Sequence, residues 1–268
     1  MTANHERLHR DEPTTGRMTD RMTDRGPGDG SGRRSVLRAA VGGASVLGAM
    51  GAVGVLGAGA ATAAAHPSAS PPPSAHTPRV ALQTLLEGNR RWRTLRQRYP
   101  NHGTAARQRA IAGQAPFAIV LGCVDSRVPP ELVFDQGLGD LLTARSAAGV
   151  LDEAVVGSVE YGVLALNIPL IVVLGHESCG AVKAAIEAEQ TGQPLPGSIQ
   201  YLAERIWPAI DHGQVGDARV RATTDAQARL VRDQLAAKPD LAPRVADGRL
   251  SVVAARYDLT DQGVRLLP

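Results

Sequence analysis

The stretch "LDEAVVGSVEYGVLALNIPLIVVLGHESCGAVKAAIEAEQTG", Leu151 to Gly192, decides the fold. Its first part places Val155, Val159, Val163 and Leu166 on one helical face. Asp152 and Glu153 suit the positive end of that helix, and Asn167 with Pro169 ends it. "PLIVVLGH" is then continuously apolar, which predicts a strand buried on both faces. "CGAVKAAIEAEQTG" starts a second helix. Helix, buried strand, helix is the repeating unit of a parallel sheet with crossover connections.

The flanking segments agree. "PFAIVLGC", ending at Cys123, reads as another buried strand, and "DLLTARSAA" as a weaker one. "PRVALQTLLEGNRRWRTLRQ" predicts an amphipathic helix with Val80, Leu82, Leu85, Leu86 and Trp92 inside and a basic outer face. "HGTAARQRAIAGQ" is short and polar. Polar helices cover roughly 198–237, and "GRLSVVAARYDLTDQGVRLL" predicts a final strand and hairpin turned at Asp261 to Gly263. The expected class is α/β, with a mainly parallel central sheet flanked by helices.

Composition supports a packed core, with 43% hydrophobic residues but only 3% aromatic among 268. The net charge of +3 includes a leader: residues 1–65 hold eight Arg and six Asp or Glu. The remainder is close to neutral, which excludes the basic footprint of a nucleic-acid binder. Residues 1–32 are polar and contain the tandem "MTDRMTDR"; they read as disordered. Arg33 and Arg34 then precede a 27-residue uncharged run, Ala39 to Ala65, closed by small A-x-A sites. This resembles a twin-arginine export signal and implies an extracellular or cell-envelope location. The alternative is an uncleaved anchor, since 27 residues can span ~30 Å of hydrocarbon. The expected organisation is therefore an export signal at 1–65, a Pro/Ser linker at 66–77 and a catalytic domain at 78–268.

Ligands bind beyond the carboxyl ends of strands in such sheets. Both cysteines fall there: Cys123 opens "CVDSR", and Cys179 closes "GHESCG". Cys123, His176 and Cys179 suit a zinc ion with a fourth position left open, as in catalytic sites. Gly175 and Gly180 are expected to relieve backbone strain around the second cluster. A Cys123–Cys179 disulfide or two inert thiols are the alternatives. Neither accounts for His176 at a strand end, nor for Asp125 and Arg127.

"CVDSR" followed by "GHESCG" resembles the β-class carbonic anhydrases. "LLEGNRRW", "FDQGLGDLLTARSAAG", "SVEYGVLALNIPLIVVLGHESCG" and "ARYDLTDQGVRLL" are similar to further segments of that family, so the likeness covers about 79–268. The resemblance implies Zn2+ held by Cys123, His176 and Cys179, with Asp125 a fourth ligand only in a closed state. It implies a catalytic dyad of Asp125 and Arg127, in which the guanidinium fork holds the carboxylate off the metal. The implied reaction is reversible hydration of carbon dioxide to bicarbonate and a proton, with hydroxide generated on zinc as nucleophile. Relatives hydrolysing carbonyl sulfide or carbon disulfide share the ligands and give the alternative activity. A non-catalytic exported binding or structural protein is the alternative from another class. The implied assembly is a homodimer or tetramer, with membrane contact only through the export signal. Ser146 stands where the family has Asn. Val120 stands where members with a regulatory bicarbonate pocket have Trp, so that regulation is expected to be weak or absent. His212 is a proton-shuttle candidate by residue type only.

Overall fold

A computed structural model describes residues 76–268. The segment expected to be an export signal, and all but the last two residues of the expected linker, lie outside the described residues. Thr77, at the linker's end, caps the first helix by accepting from the Val80 amide.

The core is a five-stranded sheet in the order β2-β1-β3-β4-β5. The strands are β1 (Ala118–Cys123), β2 (Leu141–Ser146), β3 (Leu170–His176), β4 (Ser251–Tyr257) and β5 (Val264–Leu267). The first four pair in parallel, and β5 returns antiparallel to β4 through the expected hairpin. The helices are α1 (Pro78–Arg93), α2 (Thr104–Ala112), α3 (Pro130–Val133), α4 (Glu153–Leu164), α5 (Gly180–Thr191), α6 (Ile199–Ile206), α7 (Gly216–Ala236) and α8 (Ala242–Ala246).

Because side chains alternate along a strand, each continuous apolar run feeds two cores. Ile119, Leu121, Ile171 and Val173 face Val159 and Val163 of α4 and Val231 and Leu235 of α7. Ala118, Val120, Leu170, Val172 and Leu174 face the other way, toward Leu85 of α1 and Phe134. Each fully buried Leu, Ile or Val contributes about 1.5–3 kcal/mol relative to exposure. The Asp152 side chain caps α4 by accepting from the Val155 amide.

One sequence expectation changes, and two are filled in. The inner face of α1 is Ala81, Leu85, Gly88 and Asn89, while Val80 is exposed. Gly88 is inside because the Phe134 carbonyl lies against it: a Cβ there would stand 1.7 Å from that oxygen. Asn89 is inside because it donates to the Val133 and Gln262 carbonyls and accepts from the Val264 amide, tying α1 to the hairpin. The polar stretch "HGTAARQRAIAGQ" contains α2, a mostly exposed helix with Ala106 its one buried residue. The polar helices expected at 198–237 are α6 and α7, and α7 buries the polar Thr223, Thr224 and Gln227.

Candidate metal centre

Cys123 is the last residue of β1, and His176 the last of β3. These strands are hydrogen-bonded neighbours, with Gly122 opposite Leu174. Two residues 53 positions apart therefore reach one rim, as parallel-sheet logic requires. Cys179 joins them through a tight turn, Glu177-Ser178, that leads into α5. The left-handed residue of this turn is Ser178, at φ 53°, and not a glycine. Gly175 and Gly180 adopt no positive φ, so the expectation of strain relief at those two positions is corrected. Gly175 has a packing role instead: a Cβ there would meet the Thr224 methyl at 3.0 Å and the Ala228 Cβ at 3.6 Å. Its absence lets α7 lie directly against the end of β3.

The ligand atoms of Cys123, His176 and Cys179 all lie within 4.8 Å of one another, and all three residues are buried. The two sulfurs are 4.0 Å apart and not bonded as a disulfide. His176 Nδ1 lies 2.9 Å from the Glu177 carbonyl. A carbonyl only accepts, so Nδ1 carries the proton and Nε2 presents its lone pair. His176 Nε2 is buried and has no hydrogen-bond partner among the described residues. A buried lone pair without a donor is costly unless a metal takes it.

The sulfur electrostatics fit a dication equally well. The hydrogen bond from Cys179 lowers the Cys123 thiol to about 4, against the opposing effect of burial; His176 and the Ala148 amide help. The Ala148 N–H donates to Cys123 Sγ at 3.3 Å, aimed there by a left-handed Ala148 at φ 53°. Cys179 is pushed the other way, first by its bond to Cys123 and then by burial. The pair holds one negative charge readily and a second only beside a cation, as thiolate ligation of a metal provides.

Asp125 stands at the mouth. Arg127 grips it bidentately, Nε to Oδ1 at 2.9 Å and Nη2 to Oδ2 at 2.7 Å, and the Arg127 amide adds a bond to Oδ1 at 2.9 Å. The Arg127 bond keeps the Asp125 carboxyl well below the usual carboxylate range, against burial. Its Oδ2 lies 3.8 Å from His176 Nε2. The carboxylate thus faces the centre while bound to the arginine.

Sequence reasoning left Arg145 without a role on this site. It fixes the β1 exit by donating to the carbonyls of Cys123 at 2.7 Å and Asp125 at 2.6 Å. Ser146, the departure from the family pattern, spends its hydroxyl on the Val150 carbonyl at 2.6 Å. His212 pairs with Glu189 and Arg219 and is not among the residues lining the metal cavity. Gln227, also unforeseen, does line that cavity. The spacing of Val220, Thr224, Gln227, Val231 and Leu235 is the signal that could have found it, for it marks the inner stripe of α7.

A buried Cys–His–Cys set at the carboxyl rim of a parallel sheet, with a tethered carboxylate beside it, defines a mononuclear metalloenzyme of the zinc type. The carbonic anhydrase family model matches residues 118–264. The chain is 41% identical over 187 residues to carbonic anhydrase 2 of Mycobacterium tuberculosis, covering 69% of this chain and 90% of that one. Among solved structures it is similar to a Coccomyxa β-carbonic anhydrase in complex with acetazolamide: 26% identity, TM-score 0.56, 69% and 86% of the two chains covered. A chain from the crystal structures of two tetrameric β-carbonic anhydrases of Sordaria macrospora shares the fold at 21% identity and TM-score 0.56, over 69% of this chain and 96% of that one.

The chain belongs to the carbonic anhydrase family, with the fold of its β class. It is an enzyme of the reversible hydration of carbon dioxide, and zinc is its cofactor.

Proposed function

We propose that Cys123, His176 and Cys179 hold the zinc, and that Asp125 and Arg127 form the catalytic pair beside it. The observation that carries this reading is the buried Nε2 of His176, without a hydrogen-bond partner among the described residues and grouped with two thiols. When bound, zinc supplies a Lewis acid that makes water a nucleophile at neutral pH.

The protein's own groups do the rest. Glu177 fixes the His176 tautomer through its carbonyl. Arg127 keeps Asp125 ionised and holds its carboxylate in a bidentate grip. Asp125 Oδ2 accepts one bond from Arg127 and retains a second lone pair on the side of His176. That lone pair orients the attacking water by accepting its proton in a hydrogen bond, and the geometry so imposed shortens the search for a productive approach to carbon. Arg127 is half exposed at the entrance and offers the departing bicarbonate a counter-charge.

Carbon dioxide is the substrate, in preference to carbonyl sulfide or carbon disulfide. Stopped-flow hydration of CO2 by the zinc-loaded protein, run beside carbonyl sulfide turnover, tests this. Turnover of carbonyl sulfide without CO2 hydration would overturn it.

Export by a twin-arginine route follows from Arg33-Arg34, the uncharged run and the small-residue sites after it. A fusion whose Arg33 and Arg34 are both replaced should stay inside the cell; normal export of that variant would sink the assignment. A homodimer or tetramer is the proposed assembly. It is supported by the tetrameric relatives and by β2, an edge strand with no second neighbour among the described residues. Sedimentation of the zinc-loaded protein distinguishes these from a monomer.

A further inference from the structure

Each turnover converts CO2 and H2O into bicarbonate and one proton, and both products must leave. Two guanidinium groups stand beside Asp125, Arg127 on its carboxylate and Arg145 on its carbonyl. Positive charge there favours an anion and disfavours a proton. A small cavity at the three ligands is walled, between β3 and α7, by Gly175, Thr224, Gln227 and Ala228.

Gln227 is only 3% exposed. Its Oε1 is one of three buried side-chain polar atoms without a partner among the described residues. Another is His176 Nε2, which lines the same cavity and which zinc accounts for. The neighbouring Thr224 hydroxyl is committed to the Val220 carbonyl at 2.8 Å. Exchanging the amide's oxygen and nitrogen leaves the same need, with a donor in place of an acceptor. A water satisfies either.

Gln227 also lines a second, larger groove bounded by residues of α4, α6 and α7. That groove carries the carboxylates of Asp152, Glu153 and Glu160 against two cations, Arg205 and Lys238. Gln227 is therefore the partition between the metal cavity and a surface with proton acceptors. Its amide has an acceptor and two donors, enough to hold one water on each side.

We infer that Gln227 is a positioning residue that anchors a water relay past the inner face of α7, by which the product proton reaches the carboxylates of the groove beside α4. The inference rests on the metal assignment of Cys123, His176 and Cys179. The proton passes from the reacting water to the water held at Gln227, then to a groove carboxylate, and from there to buffer. Bicarbonate leaves by the arginine entrance, so the two products use separate exits.

Gln227→Met keeps the length and removes the hydrogen bonds. Zinc content and melting temperature should match the parent. In dilute buffer kcat should fall about tenfold while kcat/KM, which reports the CO2 step, stays within about twofold. High imidazole should restore kcat. The double variant Glu153→Gln/Glu160→Gln, at the outer end, should show the same split more weakly. A crystal structure of the zinc-loaded protein should show an ordered water bonded to the Gln227 amide, lost in the Met variant. A dry cavity, or equal falls in kcat and kcat/KM in both variants, would overturn the relay. A parent protein with zinc but no CO2 hydration would instead overturn the activity reading, whatever water the crystal shows.

Discussion

The two halves of the centre are built differently. At the end of β3, His176 and Cys179 are buried, and everything around them is fixed by packing and backbone: the Glu177 carbonyl, the left-handed Ser178 and the α7 wall behind Gly175. At the end of β1, Cys123 is buried but the chain then emerges. Asp125 is partly accessible, and its partner Arg127 has half of its side chain in water. The first half can do little but hold a metal. The second has freedom to exchange partners, and it is where reactants pass. Affinity is thus assigned to a rigid element and chemistry to a more open one, within about 5 Å of each other.

The strongest way to break this division is to remove a ligand from the rigid half. Loss of outer partners alone costs metal sites about 10–100-fold. His176→Ala or Cys179→Ser should therefore cost more, roughly 1,000-fold in activity, with zinc lost in elemental analysis. Retention of stoichiometric zinc by either variant would show that the buried half is not the anchor. In the open half the effect should fall on rate and spare the metal. Asp125→Asn and Arg127→Ala should keep zinc and lose roughly 100-fold in kcat/KM. Full activity in either would remove the dyad from the mechanism.

A milder probe presses on the rigid half from behind. Gly175→Ala places a Cβ 3.0 Å from the Thr224 methyl. Overpacking of this kind costs about 1–3 kcal/mol, so the denaturation midpoint should drop and zinc should dissociate faster. The Asp125 geometry should be unaffected, which kcat per bound zinc will report.

The smallest effect is expected from an ion pair of similar chemistry but no site. Asp135 accepts from Arg91 and from the Arg98 and Tyr99 amides. Burial opposes its ionisation, but these donors outweigh it and hold its carboxyl below the ordinary range. A depressed folded-state pKa contributes stability above the unfolded value, about 3.9, and that contribution is lost as pH falls through the folded value. Asp135→Asn should lower stability by about 1–3 kcal/mol at pH 7. The gap to the parent should narrow below pH 4 in denaturant titrations, and activity per zinc should be unchanged.

The sequence made the ligands and the sheet legible because both are written in local pattern. Continuous apolar runs announce strands buried on both faces, and cysteine or histidine at their ends announces a rim site. The alternation behind Cys123 drew attention to Asp125 and Arg127, and the resemblance to the β class supplied the roles proposed for them. What could not be read were features fixed by distant partners. Gly88 and Asn89 belong inside α1 only because the Phe134 carbonyl and the β4–β5 turn meet them. Ser178 takes a backbone conformation better suited to glycine, which no propensity would suggest. Gln227 looks like any polar helix residue until α7 is laid against β3, and Arg145 shows its hold on the β1 exit only when β2 lies beside it.

The order of the strands has a consequence for how the enzyme comes into being. β2 follows β1 in the chain but lies on its outer side, so β1 and β3 become neighbours only after the chain has made its crossover through α4. Such distant pairings form late and slowly in folding. A growing or partly folded chain offers zinc only the local pair, His176 and Cys179, and the full set arises when the sheet closes. Zinc uptake is in this sense a timestamp on folding, and the compartment in which β1 meets β3 is the one whose zinc supply the enzyme draws upon.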